Sequence, residues 1–167
     1  MTSCTEFHPT SFAGFSASRA QGPDAAAVQS LFFEVQDNFR ASQSLGEPAR
    51  KTMVNLVDTF LDCFHTDWDG YDALAVGPQT YHNTRRFLET LTGAWPQPSV
   101  AADPDGEISL EWYRGPRMRF SVSIGSDATV SYAGMFGTST VHGTETFIDE
   151  VPDGIIQHLR RLYRLPA

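Results

Sequence analysis

Before residue 99 the apolar residues recur at every third or fourth position, and after it they recur at every second. A period near 3.6 gathers side chains on one side of a helix, and a period of two sends them alternately to the two faces of a strand. The chain therefore reads as helices first and a sheet second. Glu107–Tyr113 alternates Ile108, Leu110 and Trp112 with Ser109, Glu111 and Tyr113. Arg117–Ile124 alternates Met118, Phe120, Val122 and Ile124 with Arg117, Arg119, Ser121 and Ser123. "ATVSYAG" and "TVHGTETF" follow, with turn signals at Arg114-Gly115-Pro116, Gly125-Ser126-Asp127 and Gly137-Thr138. Connections this short predict a four-stranded antiparallel meander, and one apolar face predicts a sheet covered on one side only.

Three helical patterns precede the strands. Asp24 is a candidate N-cap for a stripe of Val28, Leu31, Phe32, Val35 and Phe39. Pro48 sits at a first-turn position and leads a second stripe of Met53, Leu56, Val57, Phe60, Leu61 and Phe64. Gly77-Pro78 opens a third helix carrying Tyr81, Thr84, Leu88 and Leu91, which "GAWPQP" ends. Pro152 opens a last helix with Ile155, Ile156, Leu159, Leu162 and Tyr163, and Arg160, Arg161 and Arg164 suit its C-terminal end. The expected fold is α+β: three N-terminal helices, a four-stranded antiparallel meander and a C-terminal helix, with the helices on one sheet face. Residues 1–22, rich in Ser, Thr, Ala and Gly, read as a flexible tail ahead of a single domain spanning 23–167.

The net charge of −8 argues against a general affinity for nucleic acid, which needs a basic face. No apolar run is long enough to span a membrane, and the N-terminus lacks the basic and apolar regions of a secretory signal. Cys4 and Cys63 make poor material for a disulfide framework and suit a reducing compartment. A cytoplasmic location is expected.

Residues 65–72, His-Thr-Asp-Trp-Asp-Gly-Tyr-Asp, pose a physical problem. They follow a helix directly, and the negative end of its dipole disfavours Asp67, Asp69 and Asp72. A calcium loop would alternate oxygen ligands in this way, but aligning Gly70 with its glycine puts Val76 where a bidentate Glu belongs. A turn at Asp69-Gly70, with Gly70 at positive φ, explains the segment without metal. In that reading Trp68 and Tyr71 are buried between the second and third helices and the sheet. The carboxylates then accept hydrogen bonds from arginine or from backbone N–H groups.

Two further groups could form a binding surface. Arg117 and Arg119 share the polar sheet face, where Glu111 on the next strand could pair with one of them. His142 and Glu145 fall on opposite faces of the last strand and cannot act as an acid–base pair unless Gly143 introduces a bulge. There is no Walker loop, no G-x-G-x-x-G after a strand and no CxxC, and no cofactor is expected.

"DWDGYDA", "DPDGEISLEW", "SYAGMFG" and "HGTETF" together resemble a group of small bacterial proteins carrying a Trp-Asp-Gly-Tyr-x-Ala motif ahead of a four-strand meander. The resemblance spans residues 66–162, and Asp72 stands where that motif has a small residue. It implies no assigned activity and points to accessory partners of neighbouring gene products.

The leading expectation is a non-catalytic cytosolic protein-binding module, an accessory, immunity-like or antitoxin-like partner of another bacterial protein. Its binding residues would be Asp67, Trp68, Asp69, Tyr71, Arg117, Arg119, His142 and Glu145. The alternatives are a metal-dependent hydrolase using His65, Asp67 and Asp69 with His142, and an acidic secretion-chaperone-like homodimer.

Overall fold

The computed structural model of the protein describes residues 47–91 and 95–163. The expected tail and the helix around Val28–Phe39 lie outside those residues, as does Arg164. In chain order the described elements are helix α1 (Glu47–Cys63), helix α2 (Pro78–Thr90), five strands and helix α3 (Asp153–Tyr163). The strands are β1 (Ser99–Ala102), β2 (Ile108–Gly115), β3 (Met118–Ile124), β4 (Thr129–Phe136) and β5 (Ser139–Thr146). The fold is α+β, with three helices and one antiparallel sheet in the order β1-β2-β3-β4-β5. The meander thus has five strands and not four. The added strand, Ser-Val-Ala-Ala, is four residues long and pairs Val100 with Leu110 and Ala102 with Ile108.

The two-residue alternation translates directly into burial. Ile108, Leu110 and Trp112 of β2 and Phe120, Val122 and Ile124 of β3 are all at or below 1% exposure. They are also cross-strand neighbours: Ile108 faces Ile124, Leu110 faces Val122, and Trp112 faces Phe120. Side chains in such pairs pack directly, so the six form a continuous apolar sheet surface. The helices cover that face, with α1 along β1, α2 across β2 and β3, and α3 across β3 and β4. Leu56, Phe60, Phe87, Ile155, Leu159 and Leu162 supply the opposing layer. No described helix is long and apolar enough to cross a membrane.

Helix ends fall where the backbone chemistry places them. Gly77 caps α2, and Pro78, with no N–H to leave unpaired, takes the first turn. Buried Asn83 ties α2 to the far end of the sheet, its Nδ2 donating to the carbonyls of Gly125 (2.9 Å) and Ser126 (3.1 Å). At the other end of the sheet Arg114 Nη1 donates to the Leu162 carbonyl at 2.8 Å, on the negative end of α3. One expected stripe is only half right. Leu56 and Phe60 are buried and Met53 and Val57 are partly so, but Leu61 and Phe64 are 47% and 48% exposed. Leu61 is turned about 100° around the helix from Phe60, and Phe64 follows the last helical residue, where the chain leaves α1.

His158 of α3 lies against the rings of Phe120, Tyr132 and Phe136, with centroid distances of 5.5, 5.4 and 5.8 Å. Burial holds its pKa below the ordinary value of 6.5, helped by Arg161 and opposed by Glu145. The unfolded chain therefore binds this proton at a higher pH than the folded one, so His158 costs no stability above pH 6.5 and progressively more as pH falls below it. Melting temperature should drop between about pH 6.5 and pH 5 more steeply for the wild type than for His158→Phe, which keeps the ring and loses the proton. Parallel curves for the two proteins would remove His158 from the acid response.

Candidate functional site

The segment after α1 is a closed loop held by its own carboxylates. Asp69 Oδ1 accepts from the backbone N–H of Tyr71 at 2.8 Å and of Ala73 at 3.2 Å, and Asp67 Oδ1 accepts from that of Asp72 at 3.0 Å. Backbone bonds reinforce this: the N–H of Asp67 donates to the Ala73 carbonyl, and the N–H of Gly70 to that of Asp67. Gly70 is at φ 74°, as its place in the turn requires, and Asp67 and Asp72 also adopt positive φ, 60° and 66°. Asp tolerates that region because its short side chain bonds locally. The question raised by three acids beyond a helix C-terminus thus has a local answer. Two of them are taken up by N–H groups of their own loop.

Further bonds moor the loop to the domain. Val76 N–H donates to the carbonyl of Cys63, closing the helix end, and Leu74 N–H donates to Pro104 in the β1–β2 turn, both at 2.8 Å. The Trp68 indole N–H donates to the Leu74 carbonyl at 3.0 Å. Ala73 and Val76 are buried and Trp68 is half-buried. Tyr71 corrects the expectation of a buried aromatic pair, because it is 87% exposed. Its position at the tip, between Gly70 and the positive-φ Asp72, directs it away from the residues that anchor the loop.

Exposed apolar side chains concentrate here. Among the described residues six large hydrophobics are exposed, and Leu61, Phe64, Tyr71 and Leu74 are four of them. Leu74, 57% exposed, also walls a groove of about 330 Å³ that Asp105, Glu107 and Asp127 line from two hairpin turns. Burial pushes the Glu107 carboxyl above its ordinary range, and the nearby charges of Asp105, Asp103 and Asp127 add to the effect. The surface around Leu74 is therefore apolar and strongly negative.

The other expected residues fall on the sheet. Arg119 faces outward on β3 and His142 outward on β5, on the face that no described helix covers. Together with Glu111 they line a groove of about 410 Å³. Arg117 lies in the β2–β3 turn, one residue before β3. Glu111 pairs with neither arginine; the ion pairs present among the described residues join Arg85 to Glu89 and Arg86 to Asp149. The β4–β5 register runs without a break from Thr129–Thr146 to Phe136–Ser139, so Gly143 makes no bulge and Glu145 stays on the helix-covered face. Gly143 instead makes room for Tyr132, whose hydroxyl would lie 2.5 Å from a Cβ at that position. Glu145 reaches the start of α3 beside Gly154 and bears electrostatically on His158.

His65, Asp67 and Asp69 do not form a ligand set: no group of three or more His, Cys, Asp or Glu among the described residues could hold a metal ion. His142 lies on β5, the sheet edge opposite β1, and it is the β1–β2 turn to which the loop is bonded through Leu74. Two residues of the surfaces escaped the sequence reading. Leu74 sits in a loop, where no periodicity marks orientation, whereas Met135, on the open face opposite Arg119, was legible from the alternation of β4. No family model, curated protein or solved structure matches the chain.

If the carboxylates build the loop, Asp69→Ala should lower stability by about 1–2 kcal/mol through loss of an acceptor serving two N–H groups, while Asp69→Asn, which keeps one oxygen, should cost less than about 0.5 kcal/mol. Trp68→Ala should cost about 2 kcal/mol, less than a core truncation, because the ring is only half-buried. Chemical denaturation of the three variants checks the ranking. Equal losses for Asp69→Ala and Asp69→Asn would mean that the acceptor is not what matters.

Proposed function

We propose that the chain is a non-catalytic protein-binding module whose contact surface is the 61–74 segment, working as an accessory, immunity-like or antitoxin-like partner of another protein. The observation that carries this reading is the concentration of four of the six exposed large apolar side chains of the described residues in one segment, the end of α1 and the self-braced loop that follows it. A rigid exposed Tyr suits the role of an anchor, because little conformational entropy is lost when it is buried against a partner. Asp62, Asp67 and Asp72 are exposed within the same stretch, with Asp58 exposed just before it, and the chain carries a net charge of −8. The partner surface that fits is an apolar pocket with a basic rim. The resemblance of the Trp-Asp-Gly-Tyr-x-Ala motif to that of small bacterial accessory proteins supports the same reading.

The catalytic alternative is weaker on chemical grounds. The two carboxylates best placed in the loop sequence, Asp67 and Asp69, already accept bonds from backbone N–H groups.

Affinity capture from cells in which the chain is native should recover a partner, and Tyr71→Ala should reduce the recovered amount at least about tenfold, as for a central interface aromatic. Its melting temperature should stay at the wild-type value, since the ring contributes little to the core. Rising salt should weaken the complex, because exposed charges are screened within about 10 Å at 0.1 M. Full capture by Tyr71→Ala would remove the loop from the interface.

A further inference from the structure

The open sheet face differs from the rest of this acidic molecule. Its outward strand positions carry one acid, Glu111, one arginine, Arg119, and one histidine, His142. Asp103, at one end, is taken up by the hydroxyls of Ser109 and Ser123. In a chain of net charge −8, this face is close to neutral. Like-charge repulsion between two copies is therefore smallest where these faces meet.

The face is also shaped for close approach. One cross-strand row runs Glu111, Ser121, Ala133, His142, so two small side chains lie between Glu111 and His142. The next row places exposed Tyr113 beside Arg119 and half-buried Met135. Tyr, Met and Arg are the residue types enriched in protein interfaces. Arg119 is the diagonal neighbour of Glu111, two residues along β3 from Ser121, a spacing of about 7–8 Å. Neither charge has a partner in the monomer: the ion pairs among the described residues lie elsewhere. An exposed pair formed between them within one copy would contribute at most about 1 kcal/mol, too little to hold them out of an interface.

From this pattern we propose that the open sheet face is a homodimer interface, in which Glu111 of each copy pairs with Arg119 of the other across a two-fold axis. An acid and a base displaced from one another on one surface are self-complementary under such an axis, which pairs each twice. Five strands about 4.8 Å apart and about seven residues long on average give roughly 550 Å² per copy, or about 1,100 Å² in total. That is the low end for a specific interface, so the dimer is concentration-dependent and dissociates in the micromolar range. The proposal is independent of a partner bound by the Tyr71 loop, which lies between α1 and α2 and is tied to the β1–β2 turn by the Leu74–Pro104 bond.

Sedimentation equilibrium on the full chain from about 1 µM to about 1 mM tests it. The wild type should rise from the monomer mass towards twice that mass. Glu111→Arg puts two positive groups where opposite charges should meet, and Arg119→Glu puts two negative ones there. Each variant alone should associate at least tenfold more weakly than the wild type. Mixed in equal amounts, the two variants offer complementary charges at both contacts and should recover the dimer. A wild type that stays monomeric at 1 mM overturns the proposal. So does either variant associating like the wild type, or a mixture no heavier than its components; in those cases the groove serves a different occupant, such as an extended peptide or a small ligand.

Discussion

Six side chains, Ile108, Leu110, Trp112, Phe120, Val122 and Ile124, form one dry surface across β2 and β3, and shielding it from water organises the remainder of the domain. Burying apolar area contributes about 25 cal/mol for each Å², the dominant favourable contribution to folding. Because the alternation holds through β2 and β3, the large aliphatic and aromatic core residues lie on one side and the helices gather there. The opposite face carries mostly Ser, Thr and a few charged residues, with Tyr113 and Met135 among them. The same constraint keeps His142 and Glu145 apart, since an unbroken register cannot bring neighbours of opposite parity together.

The loop beyond α1 solves a different problem by local means. A helix C-terminus repels carboxylates, yet Asp67 and Asp69 find stabilising partners in N–H groups that would otherwise go unpaired. The positive φ values of Asp67, Gly70 and Asp72 turn the chain so sharply that Tyr71 is carried outward while Trp68 keeps its indole N–H on the Leu74 carbonyl. The geometry that satisfies the acids therefore also presents the aromatic. The internal bonding of the loop and the exposure of Tyr71 have one cause here.

Most of the architecture was legible before any coordinates because it rests on periodicity. The strand faces, the Gly77-Pro78 helix start and the α3 stripe all follow from residue spacing. Strand β1 was not legible: four residues of Ser, Val and Ala carry no alternation of their own and become a strand only by pairing with β2. The turn at Gly70 and the local hydrogen bonds of the acids followed from turn chemistry. The exposure of Tyr71 did not, because in a loop neither period nor hydrophobicity decides which way a ring points. Leu61 and Phe64 were misjudged for a related reason. A stripe read from spacing alone does not fix its edges: Leu61 lies about 100° around the helix from buried Phe60, and Phe64 falls just past the last helical residue, Cys63, which is still in the core.

The proposed binding through the loop rests on a shape that exists before any partner arrives. Backbone ¹⁵N relaxation of the free protein measures this residue by residue from Asp67 to Leu74. Order parameters near about 0.85, matching those of α2, are predicted for these amides, with the Tyr71, Asp72 and Ala73 N–H groups held by their acceptors. Values below about 0.6 across the segment would show a flexible chain. They would contradict the claim that the carboxylates pre-form the surface on which Tyr71 stands.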